Sequence, residues 1–148
     1  METMEHLLQR KEEGRGFYHR MGAQSGSAGI RKFFGMLAED EMRQERVLLA
    51  LRRGTLPDLE DFVTLDEAKG ILRRLSLHQP YYIPEEGDLQ RLATAMEFEA
   101  RCAQICREIA AADGDGCRKE LFLSIAAEEE VHFTLLEQMR EVVGRSLC

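Results

Sequence analysis

Positive charge is in short supply in this 148-residue sequence: 20 Lys and Arg stand against 27 Asp and Glu, a formal net charge of -7. General nucleic-acid binding needs a basic face and is not expected. No apolar run approaches the length that crosses a bilayer, so no membrane span is expected. The opening METMEHLLQRKEE has no apolar signal region, which makes a cytoplasmic location the default expectation. None of the four cysteines, Cys102, Cys106, Cys117 and Cys148, belongs to a CxxC pair, which argues against a rubredoxin-like or zinc-ribbon module. A Gly-rich phosphate loop, a nucleophile elbow and a supported Cys–His pair are also missing. His6, His19 and His78 are isolated and read as surface or cap residues.

What remains favours helix. Hydrophobic residues make up 44% and charged residues 32%, and Glu, Leu, Arg and Ala dominate. The length suits one domain over 1–148 with a real core. Apolar residues recurring at helical spacing give four long segments, at about 2–24, 30–53, 88–112 and 117–143. Their inward stripes run through Leu7, Leu8, Lys11, Gly14, Tyr18 and Met21; Phe33, Phe34, Leu37, Glu41, Gln44, Leu48 and Leu51; Leu92, Ala95, Met96, Glu99, Cys102, Cys106 and Ile109; and Ile125, Glu129, His132 and Leu136. SGSAG (25–29) and DGDG (113–116) break the pattern. The second hints at calcium but lacks the rest of an EF-hand loop, so it reads as a turn. Gly54 and Pro57 end the second helix, and Gly144 is expected to end the fourth. A long crossover, 55–87, contains a short helix at 65–78 and an extended QPYYIPEEGD.

The two halves align without a gap at an offset of 88 residues. Gly26 matches Gly114, Phe34 matches Phe122, Ala38 matches Ala126, Glu41 matches Glu129 and Leu48 matches Leu136. This points to a duplicated helical hairpin. Residues equidistant from an antiparallel turn share a level, because both helices rise equally per residue. Lys11 is then level with Glu41, and Glu99 with Glu129. The long crossover lets the third helix start at the far end and keep that relation, bringing all four to one layer.

Three inward carboxylates are costly unless something positive joins them. Glu129 and His132 lie one turn apart, so both side chains reach one point. That Glu-x-x-His element belongs to carboxylate-bridged metal sites in four-helix bundles. Carboxylates with imidazole suit iron or manganese, and zinc can substitute. The acids at 128 and 130 flank Glu129 and are expected to be outward and solvated.

On KEEGRGFY (11–18), FFGMLAEDEMRQERVLL (33–49), AMEFEARCAQIC (95–106) and LFLSIAAEEEVHFTLL (121–136), the chain resembles the ferritin-like superfamily. Within it, the chain is most similar to the rubrerythrin-like di-iron carboxylate proteins. The resemblance covers all four helices but not the crossover. It implies an all-α, ferritin-like four-helix bundle with a metal centre, peroxidase or ferroxidase chemistry and, commonly, a homodimer. It assigns Glu99, Glu129 and His132 to one metal and Glu41 as a bridging glutamate. The chain departs from the pattern where Lys11 replaces a terminal glutamate and Gln44 replaces a histidine. It also lacks the rubredoxin module.

Three readings follow. One metal ion is held by Glu99, Glu129, His132 and Glu41, while Lys11 replaces the other metal's charge and pairs with Glu41 or Glu129. Alternatively, the same residues form a metal-free polar network in a relic bundle with a non-enzymatic interaction or assembly role. A third reading is a two-metal centre with nonstandard ligands. Iron is the expected ion, and peroxide- or oxygen-linked redox or iron handling is the expected activity. Tyr18 could lie near the site, and an electron donor would be required. Phe62, Tyr81, Tyr82 and Ile83 in the crossover are candidate dimer contacts. Cys102 and Cys106 share a helical face and read as small buried residues.

Overall fold

A computed structural model of the chain describes residues 3–55, 69–71, 73–74 and 86–147. Four long helices account for most of it: α1, Met4–Gln24; α2, Ala28–Arg52; α3, Glu86–Ala112; and α4, Gly116–Leu147. Residues 69–71 and 73–74 are helical as well, and Ile71 is buried in the core. The rest of the expected short helix at 65–78, Pro57, His78, Cys148 and the four apolar crossover residues Phe62, Tyr81, Tyr82 and Ile83 lie outside the described residues. Among the described residues there is no strand, and no helix is long and apolar enough to cross a membrane.

The ends of the helices follow from local chemistry. Thr3 caps α1 by accepting from the backbone N–H of His6, and Ser27 caps α2 by accepting from Ile30. Asp115 does the same for α4 through Arg118 N–H at 3.0 Å. At the far end of α2, Gly54 takes φ +90°. Its N–H bonds Leu51 O at 3.0 Å and Thr55 N–H bonds Ala50 O at 3.0 Å. This is a Schellman closure that needs a residue free to adopt left-handed backbone.

The observed bounds shift the expected ones by a few residues. Because Ser27 is the cap, α2 starts two residues early, at Ala28. The third helix reaches back to Glu86. The expected stop at Gly144 is wrong, since α4 continues to Leu147. A Cβ at Gly144 would stand 4.0 Å from Leu89; the residue packs against α3 rather than capping the helix. DGDG is a turn in which Asp113 accepts from Asp115 N–H and holds Arg118.

Short turns pair α1 with α2 and α3 with α4, and α1 also meets α3. That crossing is close at Gly14, where a Cβ would lie 2.2 Å from the Phe98 ring. The apolar core is split into two clusters. One contains Tyr18, Phe33, Phe34, Leu37, Leu136 and Met139, among others. The other contains Leu7, Leu48, Ile105, Leu121, Phe122 and Ile125. Except for half-buried Ile109, every residue of the four expected stripes is buried. The polar members Lys11, Glu41, Gln44, Glu99, Glu129 and His132 fall in sequence between the apolar positions of the two clusters, so the layer they form is walled off from water.

Candidate metal centre

Lys11 is wholly buried, whereas its neighbour Glu12 is exposed. The ammonium stands 3.0 Å from Glu41 Oε2 and 2.9 Å from Glu129 Oε1. It therefore pairs with both carboxylates, not with one or the other. Burial opposes its charge, but Glu129 and Glu41 outweigh that penalty and hold its pKa well above the ordinary value.

Glu41 on α2, Glu99 on α3, and Glu129 and His132 on α4 each offer a ligand atom, and those atoms all lie within 4.8 Å of one another. All four residues have no exposed surface. His132 Nδ1 is 3.3 Å from Glu99 Oε2 and 3.7 Å from Glu129 Oε1. Tyr18 donates its hydroxyl to the other Glu99 oxygen at 2.5 Å. Its ring stacks on Phe34 and meets Phe98 edge-on. Burial, then the Glu99 charge, raise the Tyr18 pKa well above normal, so it remains a donor. Both oxygens of Glu41 and both of Glu129 are buried without a hydrogen-bond partner. The contacts from Lys11 have ion-pair distances but not hydrogen-bond angles.

A second layer lies between α2 and α4. His132 Nε2 is 2.6 Å from Asp40 Oδ2. Arg43 holds Asp40 at 2.7 Å and also donates to Glu128. Gln44 does not point its amide nitrogen at the cluster; it donates to Glu128 Oε2 at 2.8 Å. Its own Oε1 is buried and unbonded. The contacts are reciprocal. Shifting Asp40–His132 by 88 residues, in opposite directions for its two members, yields Glu128–Gln44.

The expectation that Glu128 is outward and solvated is therefore incorrect: it is only 8% exposed and bonded on both sides. Glu130 is exposed and pairs with Arg107. Asp40, Arg43 and Glu128 were missed as site residues. The available signal was the repeated acid just before each inward glutamate, Asp40–Glu41 and Glu128–Glu129.

The charges do not balance. Five buried carboxylates (Asp40, Glu41, Glu99, Glu128 and Glu129) face two permanent cations, Lys11 and Arg43. Protons take up the deficit. Burial, reinforced by Glu129, pushes Glu41 up to about 7. Burial, reinforced by Glu99, pushes Glu129 up to about 8. Burial works against the charge on His132, yet Glu99 and Asp40 raise its pKa well above normal. Cys102 and Cys106 are free and buried. Burial drives both thiols up, Cys106 to about 12, so neither offers a thiolate.

The donor set could hold a metal ion. Glu41, Glu99 and Glu129 supply hard oxygens and His132 a nitrogen, and Asp40 fixes the opposite ring nitrogen of the histidine. A second ion does not fit equally well, because the Lys11 ammonium already stands between Glu41 and Glu129 and Gln44 is engaged by Glu128. Comparison with known protein families, with curated proteins and with solved structures finds no match for this chain.

Proposed function

We propose that this protein is a rubrerythrin-related, ferritin-like bundle of two duplicated hairpins that holds one divalent transition-metal ion. Glu99, Glu129 and His132 are the primary ligands and Glu41 the fourth. The observation that carries this reading is a buried group of four convergent donors in which Glu41 and Glu129 have no hydrogen-bonded oxygen. Buried carboxylates are costly, and the single Lys11 ammonium shared between these two leaves part of that cost for a metal cation to remove. The reciprocal pairs Asp40–His132 and Glu128–Gln44 support the duplication.

Iron is the preferred ion for this ligand set, with manganese and zinc as substitutes. Bound iron would supply a one-electron couple for peroxide- or oxygen-linked redox or for iron handling. The protein's own residues orient and insulate. Tyr18 fixes one oxygen of Glu99, Asp40 fixes the ring of His132, and the two apolar clusters exclude water. A homodimer and a cytoplasmic location belong to the same reading.

A second reading has its own observation. Lys11 already bridges Glu41 and Glu129, so the layer can exist as a metal-free polar network in a bundle that serves interaction or assembly. Metal content per chain separates the two. Protein expressed with iron and manganese, and purified without chelator, should carry close to one ion, lost in His132→Ala. No ion under these conditions would establish the metal-free network, and two would overturn the assignment of Lys11.

A further inference from the structure

A metal held in a fully buried layer needs a way in. On the outer face of the second hairpin, a pocket of about 270 Å³ opens between α3 and α4, with Ala100, Ala103 and Phe133 among its walls. The exposed ion pair Arg107–Glu130 lies on it, and buried Glu129 contributes to its lining. Glu129 has no exposed surface, so the pocket ends against this residue of the candidate metal centre without opening onto its carboxylate.

The first hairpin differs at the equivalent positions. Residues 88 earlier than Ala100, Ala103 and Phe133 are Glu12, Arg15 and Glu45. Arg15 and Glu45 form an ion pair of 3.1 Å that straps α1 to α2. The pocket there is lined by Glu12, Arg15 and Glu45 but does not include Glu41. The groove is therefore strapped by long charged side chains in the half where Lys11 and Gln44 replace ligands. In the half that retains Glu99, Glu129 and His132, Ala100 and Ala103 stand at the equivalent positions, and the charged strap is the exposed Arg107–Glu130 pair instead.

We propose that the α3–α4 groove at Ala100 and Ala103 is the port through which a divalent metal ion reaches and leaves Glu129. The inference rests on the metal-binding reading. A cation is favoured as the traveller because it meets two carboxylates in succession, Glu130 outside and Glu129 within. At the first of these it competes with the Arg107 guanidinium, and at the second with protons and Lys11. The alanines matter by position: a larger side chain at either one would stand in the pocket.

The test uses cobalt(II), whose visible absorption reports binding. Its uptake by metal-free protein and its removal by chelator are timed in the wild type and in Ala100→Phe, an exposed position where added bulk need not disturb the core. Both rates should fall by at least about tenfold, equivalent to a barrier raised by about 1.4 kcal/mol, while the final cobalt per chain stays the same. Thr134→Trp, at another residue of the same pocket, should slow both rates too. Ala127→Phe, in an adjoining pocket that shares Glu130 and Thr134 with the groove but includes neither Glu129 nor the two alanines, should not. Full cobalt loading with unchanged rates in both groove variants would overturn the port and leave the metal centre standing. So would equal slowing by Ala127→Phe. No cobalt binding by the wild type would overturn the metal reading and the port together.

Discussion

His132 Nε2 lies 2.6 Å from Asp40 Oδ2, and this contact turns the other ring nitrogen toward Glu99 and Glu129. The ring is set from behind, by an acid on a different helix. An outer partner of this kind selects the tautomer and raises the basicity of the ligating nitrogen. Asp40→Ala should therefore weaken metal affinity by about 10–100-fold, measured by competition with a chromophoric chelator. An affinity equal to the wild type's would remove Asp40 from the site.

The charge deficit makes the metal-free protein sensitive to pH, and its sign can be worked out. Glu41 and Glu129 have folded values of about 7 and about 8, both above the ordinary 4.5. Their contribution to stability is fully present below about 4.5 and is lost as the pH rises through about 7 and then 8. His132 is raised too and has the same sign, with its loss beginning above 6.5. Asp40 is lowered from 3.8, so its contribution disappears only in stronger acid. The melting temperature in chelator should fall between about pH 5.5 and 8.5. Glu129→Gln should flatten that slope. A flat wild-type profile would contradict the buried charge count.

Loading should reverse the trend, because a divalent ion takes the place of protons. Affinity for metal should rise with pH over the same interval, with protons released into weakly buffered solution on binding. Calorimetry in buffers of different ionisation enthalpy counts them. Binding without proton release would show that Glu41 and Glu129 are ionised beforehand.

Removing the Lys11 ammonium leaves two buried carboxylates without their cation. Lys11→Met should destabilise the metal-free protein by about 3–5 kcal/mol, with much of the loss recovered when metal is supplied. The double change Lys11→Glu with Gln44→His should raise the metal content from one to two per chain. Glu128 already bonds residue 44 as Asp40 bonds His132, so the new histidine would find its outer partner in place. A content that stays at one would show that more than these two residues closes the second position.

Tyr18→Phe keeps the ring contacts with Phe34 and Phe98 and deletes only the bond to Glu99. The expected cost is about 1–3 kcal/mol in chemical denaturation. Metal content should be unchanged, since the Glu99 carboxylate remains. Loss of metal in this variant would promote Tyr18 from a packing and hydrogen-bonding residue to a determinant of the site.

Much of this arrangement was legible in the residues. A helical stripe that admits Lys11, Glu41, Gln44, Glu99, Glu129 and His132 at inward positions points them to the core, and equal distance from the two turns puts Lys11 level with Glu41 and Glu99 level with Glu129. What single-stripe reasoning missed has a geometric cause. Residues 128 and 40 each precede an inward glutamate and are rotated about 100° from it around the helix axis. A helix packed on two sides buries a wider arc than one stripe, so those positions fall in the α2–α4 seam instead of in water. Arg43 occupies the same seam. Gly144 was misread for a related reason: propensity suggested a stop, but packing against Leu89 carried the helix past it.

Lys11 has one property that no bound ion shares: it is joined to the chain. Starvation for metal cannot remove it, a competing metal cannot exchange with it, and no oxidant changes its charge. Part of the electrical balance of this core is therefore encoded in the gene and independent of the surroundings. The same residue sets a limit, because a lysine stores no electron. In the proposed one-ion centre, with Lys11 across the Glu41–Glu129 span, a redox metal would have no second ion to share an oxidising equivalent, and electrons would be counted one at a time.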